Sequence, residues 1–115
     1  MIDRGLIEDM FANMRAAGQW NLDGPLLWGF FFTAKDRGTL ENASALLGTD
    51  GYRFVDVFVL EKEDPSDPDV WCLHVERVEH LTIDALDRRN RHLCDFAASL
   101  GLDSYDGMDV GPVGG

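Results

Sequence analysis

Residues Leu26 to Thr33 read Leu-Leu-Trp-Gly-Phe-Phe-Phe-Thr, apolar at almost every position. A segment without a polar face has to be covered on both sides. The longest apolar stretch, Pro25 to Phe32, falls far short of the roughly 18 residues that a membrane span requires. The run is therefore expected to be the central strand of a sheet. The chain around it has 115 residues, 45% hydrophobic and 27% charged. Those figures describe one globular domain over residues 1–115, large enough to fold without a disulfide or a metal.

Helix and strand signals alternate along the rest of the chain. Leu6, Ile7, Met10, Phe11, Met14 and Ala17 form one apolar stripe, with Asp3 placed to cap the helix and Gly18 to end it. Asp36 or Thr39 starts a second helix with the stripe Leu40, Ala43, Leu46 and Leu47. Tyr52–Glu61 and Val70–His80 read as strands, joined by a loop over Glu63–Asp69 whose two prolines exclude pairing. On the first of these strands, Val55, Val57 and Val59 are expected on one face and Phe54, Asp56 and Phe58 on the other. Thr82 caps a third helix that Gly101 ends, and a short fourth strand is expected from Leu102 to Tyr105. The turn-rich tail, 108–115, is expected to be partly mobile.

The order is one helix followed by β-α-β-β-α-β. It predicts an α+β fold, a ferredoxin-like split βαββαβ sandwich with a four-stranded antiparallel sheet and one additional N-terminal helix. Right-handed crossovers put the two later helices on one sheet face. The other face should then carry Trp28 or Phe31, Phe54, Phe58, Cys72 and His74. So many aromatic groups call for a cover, either the N-terminal helix or a second copy in a homodimer.

Charge narrows the partners. The formal net charge is −11, and it is unevenly placed. Residues 1–49 carry −2, whereas residues 50–115 hold fifteen acids against six bases, or −9. Such a field opposes direct nucleic-acid binding, which depends on Lys and Arg, and opposes docking on anionic membranes. It suits a basic protein segment. The N-terminus has acids where a secretory signal needs bases, so Cys72 and Cys94 are read as reduced thiols in a cytoplasmic protein.

Few residues spell out chemistry. His74, Glu76 and His80 would share a strand face and could ligate zinc, although the spacing marks no fourth ligand. Cys72 beside His74 is the one nucleophile–base pairing, and no oxyanion hole accompanies it. Arg88, Arg89 and Arg91 read as a solvated helix face paired with nearby Asp residues. The hairpin acids lack an EF-hand pattern, and Phe30-Phe31-Phe32 lacks the basic and glycine positions of an RNA-recognition sheet. The expectation is a non-catalytic protein without a cofactor.

Gly51-Tyr52 followed by Phe54 and Asp56 on a strand, then Tyr105-Asp106-Gly107, resemble the regulator of ribonuclease E activity B family. Gly101–Gly107 is similar to the family's closing segment, and Trp20–Trp28 to one branch of it. The resemblance implies an acidic, ferredoxin-like inhibitor that docks on ribonuclease E and alters messenger-RNA decay without a reaction of its own. The candidate docking residues are Asp56, Glu61, Glu63 and Asp64, with Tyr105, Asp106 and Asp109 as a second set.

Overall fold

The computed structural model describes residues 3–18 and 21–113. Capping chemistry sets several boundaries. Helix α2 (Arg37–Thr49) begins where the Asp36 carboxylate accepts from the Thr39 N–H at 3.0 Å. Helix α3 (Ile83–Ser99) begins where Thr82 Oγ1 accepts from the Ala85 N–H at 3.1 Å. Past its end, Gly101 takes φ +72°, a left-handed conformation that a β-carbon would strain, and Leu102 N–H closes on the Ala97 carbonyl. Helix α1 (Arg4–Ala17) has Asp3 at its N-cap position without a side-chain cap.

The strands are β1 (Leu26–Ala34), β2 (Arg53–Val59), β3 (Trp71–Glu79) and β4 (Ser104–Gly111). They form one antiparallel sheet in the order β2-β3-β1-β4, so the apolar run of β1 is central, as its composition predicts. Strand β4 is longer than expected. It continues to Gly111, so 108–111 belong to the sheet rather than to a mobile tail.

Period two divides β1. Trp28, Phe30 and Phe32 are at most 1% exposed and face the helices. Phe32 meets Phe96 of α3 edge-on, and Phe30 meets Tyr52 edge-on. Phe11 of α1 stacks on Trp28 with centroids 6.1 Å apart. Helix α1 therefore lies on the same side as the other two helices, which removes the first of the two covers expected for the opposite face, the N-terminal helix. Its Ile7 and Phe11 are buried, and Arg4 pairs with Asp84 and Asp87 of α3. Trp28 likewise belongs to the core and not to the opposite face.

Arg89 is also corrected. Instead of joining a solvated face, it leaves α3 inward, donates two 2.7 Å hydrogen bonds to Glu79 of β3, and lies over the rings of Phe30 and Tyr52. This clamp ties the helix layer to the end of β3. Arg91 pairs with Asp87 one turn away, as expected of a solvated helix face.

Both edge strands carry a bulge. In β4 the register steps between Phe31↔Gly107 and Phe32↔Tyr105, leaving Asp106 as the extra residue. In β2 it steps between Phe54↔Val75 and Asp56↔His74, leaving Val55 extra. Phe54 consequently falls out of phase with Asp56 and Phe58, against the predicted alternation. In β4 the bulge turns Tyr105 inward while Asp109 stays outward. Tyr105 is 8% exposed, and its hydroxyl donates to Asn90 Oδ1 at 2.6 Å.

Burial pushes the Tyr105 phenol far above its ordinary range, and it raises Tyr52 as well. A folded-state pKa above the unfolded value contributes stability that is complete below the unfolded pKa. Unfolding free energy should therefore begin to fall above about pH 9, where the unfolded Cys72 thiol titrates, and fall more steeply above about pH 10, by up to about 1.4 kcal/mol per pH unit for each such group. Tyr105→Phe should cost about 1–2 kcal/mol at neutral pH, because Asn90 Oδ1 is left buried without its donor. It should also flatten the alkaline slope to the part due to Tyr52 and Cys72. Urea titrations from pH 7 to 11 measure both effects.

Candidate functional site

The sheet face opposite the helices is ordered in rows by the strand register. Arg53, Glu76, Gly29 and Asp109 form one row across β2, β3, β1 and β4. Asp56, His74, Phe31 and Gly107 form the next, and Phe58, Cys72, Thr33 and Ser104 the third. Val78, Leu27 and Gly111 close the other end. The face is less apolar than the alternation predicts, since Trp28 is inside the core and Cys72 is buried.

At its centre two side chains close over a glycine. Gly29 has no side chain, and a β-carbon there would lie 2.3 Å from Asp109 Oδ1 and 2.8 Å from His74 Nε2. The His74 ring is held by a parallel stack on Phe31, with centroids 4.4 Å apart. A carboxylate and an imidazole thus converge over bare backbone, in a concavity of about 180 Å³ whose wall includes Glu76. Glu76 is 7% exposed, and its Oε1 pairs with the Arg53 guanidinium.

The candidate residues fall into three places. Asp56 is exposed on edge strand β2, and Glu61, Glu63 and Asp64 are exposed in the connection that follows it. That connection is closed by the Leu60–Val70 backbone hydrogen bond and a Lys62–Asp69 ion pair. Asp64 accepts from the Ser66 N–H and hydroxyl, which hold its carboxyl below the usual range. Asp106 and Asp109 are exposed on the other edge strand, β4. Tyr105 is apart from them, within the core. Asp56, Glu61, Glu63, Asp106 and Asp109 have no ion-pair partner among the described residues, whereas Glu79, Asp84 and Asp87 are neutralised by arginines. The unpaired candidate acids are therefore on the two edges of the sheet and in the hairpin connection.

The histidine alternative does not assemble. Strand β3 ends at Glu79, and His80 lies beyond it in a groove with Arg4, Phe11 and Leu81. No group of three His, Cys, Asp or Glu side chains that could hold a metal exists among the described residues. No helix there is long and apolar enough to cross a membrane.

Sequence reasoning missed Gly29. The signal was present, because an isolated glycine inside a bulky strand marks a close approach of neighbouring groups.

Cys72 is chemically quiet. Burial, and secondarily the charge of Asp106, push its thiol up to about 11. At pH 8 only about one molecule in a thousand carries the thiolate. Iodoacetamide at pH 8 should therefore modify the half-buried Cys94 well before Cys72, with equal modification after denaturation. Peptide mass spectrometry distinguishes the two, and rapid modification of Cys72 in the folded protein would restore a nucleophilic role.

Against this geometry, a family model described as regulator of ribonuclease activity B matches residues 6–110. No curated protein sequence matches the chain. The matched span runs from within α1 to the penultimate residue of β4 and so takes in nearly all of the sheet and the acidic edges. On that span, the chain belongs to the regulator of ribonuclease activity B family.

Proposed function

We infer that this protein is a non-catalytic regulator that binds a ribonuclease of the ribonuclease E type and inhibits or modulates RNA decay. The observation that carries the reading is the family match over residues 6–110. The surface supports it. Unpaired acids line both sheet edges and the hairpin connection, an arrangement that attracts a basic protein segment from a distance. The β2-β3-β1-β4 order of antiparallel neighbours supports a ferredoxin-like arrangement for the domain. Buried Tyr105 serves this reading indirectly, by fixing β4 so that Asp106 and Asp109 face outward.

The roles of the acids follow from their exposure. Solvated charges steer association more than they hold a complex together, and salt screens them over about 8–10 Å. The variant Asp56→Asn, Glu61→Gln, Glu63→Gln, Asp64→Asn should therefore associate with ribonuclease E roughly tenfold more slowly at low salt, with little change in dissociation. High salt should erase most of the difference. Surface plasmon resonance at two ionic strengths measures the rates, and cleavage of a model RNA with and without the protein measures inhibition. Absence of binding by the unmodified chain at low salt would overturn the ribonuclease reading.

A further inference from the structure

We propose that edge strand β2 takes an extended segment of the protein partner as a fifth, antiparallel strand. The inference rests on the ribonuclease-regulator reading and specifies how such a partner is held.

The backbone supplies the first half of the contact. Strand β2 has β3 on one side and, among the described residues, no strand on the other. Leu60 N–H donates to the Val70 carbonyl at 2.9 Å, and that pair continues the register from Asp56↔His74 to Val59↔Trp71. Backbone groups of an antiparallel strand turn alternately to its two sides. Asp56, Phe58 and Leu60 therefore turn theirs toward β3, and Val57 and Val59 turn theirs away from it. Among the described residues no backbone group answers the outward N–H and C=O of these two valines. Such a row of free donors and acceptors is a template for a further strand.

Side chains distinguish this edge from the other one. Phe54, Val55 and Val59 of β2 are 54%, 39% and 39% exposed. The exposed residues of β4 are Asp106 and Asp109. A strand laid beside β2 therefore removes apolar surface from water, as one beside β4 does not. The one cation of β2, Arg53, is engaged by Glu76, whereas Asp56 is unpaired and Glu61 and Glu63 follow it.

Register and charge together specify the occupant. Running antiparallel, the segment sets successive residues opposite Val59, Phe58, Val57 and Asp56. Those opposite Val59 and Val57 share the helix side and are apolar, and the one opposite Asp56 is Lys or Arg. A further base precedes them where the segment passes Glu61 and Glu63. The pattern is base-x-apolar-x-apolar-base. A second copy of this chain fits less well. Pairing β2 with itself about Val57 sets the two Asp56 carboxylates diagonally across, between chains that each carry −11.

The free protein, labelled with ¹⁵N, should exchange its Val57 and Val59 amides fast and its Phe58 amide slowly. The reverse order would overturn the proposal. The protein is then titrated with acetyl-Lys-Thr-Val-Thr-Val-Arg-Thr-amide, with the same peptide N-methylated at both valines, and with the peptide carrying Glu in place of Arg. The first should give saturable shifts along β2 and slow exchange at Val57 and Val59. N-methylation should abolish saturation, and the glutamate peptide should bind at least about fivefold more weakly. Val59→Pro removes an outward N–H without breaking a bond to β3, and should weaken both the peptide and ribonuclease E about fivefold or more. Val59→Thr keeps that N–H and should stay within about threefold of the parent. If Val59→Pro does not fold, protection of the Val57 and Val59 amides in the parent's complexes is the deciding readout.

If ribonuclease E binds the parent but leaves both valine amides unprotected, the edge assignment is overturned and the regulator reading stands. If it does not bind the parent, the regulator reading fails and the peptide titration decides the edge. A peptide that fails while ribonuclease E protects both amides overturns the residue pattern and supports the edge. Shifts confined to β4 would overturn the proposal. Shifts along β2 with protein concentration alone would make a second copy the occupant and overturn it as well.

Discussion

Trp28, Phe30 and Phe32 leave β1 on one side and end beneath three helices, each almost wholly removed from water. Burying an aromatic side chain of this size is worth roughly 2–3 kcal/mol, so the three together exceed most other local terms. The cost is small by comparison. The Trp28 Nε1–H is buried without an acceptor, a loss of about 1–3 kcal/mol that the ring's own burial offsets. Once these positions point inward, Leu27, Gly29, Phe31 and Thr33 must point the other way. The composition of the opposite face therefore follows from the packing of the core face, and Gly29 is positioned by its neighbours Trp28 and Phe30.

Much of the architecture was legible because single residues carry strong local signals. Asp36 and Thr82 cap their helices as their types predict. The two prolines end strand pairing, and the apolar run lies at the centre of the sheet. Long-range choices were harder to read. The apolar stripe of α1 shows that the helix is buried on one side, but not against which surface, and Phe11 pairs with Trp28 rather than with the opposite face. Arg89 looked solvated because helical spacing considers only helix neighbours, while its partner Glu79 is on a strand.

The acidic character of the second half reads differently once its partners are known. Salt bridges consume part of it within the helix layer and on β3, as at Glu79, Asp84 and Asp87. What remains includes Asp56, Asp106 and Asp109 on two strands that are not neighbours, with an aromatic and histidine-bearing strip between them, and a larger group in the hairpin connection. This arrangement differs from a uniformly charged surface, since part of the charge is neutralised within the fold and the rest faces outward.

The bulge at Asp106 resets the alternation of β4, so that Tyr105 and Met108 face the core while Gly107 and Asp109 face outward. Neither bulge was foreseen, because strict period two assigns Tyr105 and Asp109 to the same side. Deleting Asp106 would put β4 back in simple alternation, with Tyr105 and Met108 still facing the core and Gly107 and Asp109 still outward. A one-residue deletion is consequently tolerated at the bulge, whereas one elsewhere in the strand reverses the facing of everything on one side of it. Relatives one residue shorter near Asp106 should keep their core residues at the positions matching Tyr105 and Met108.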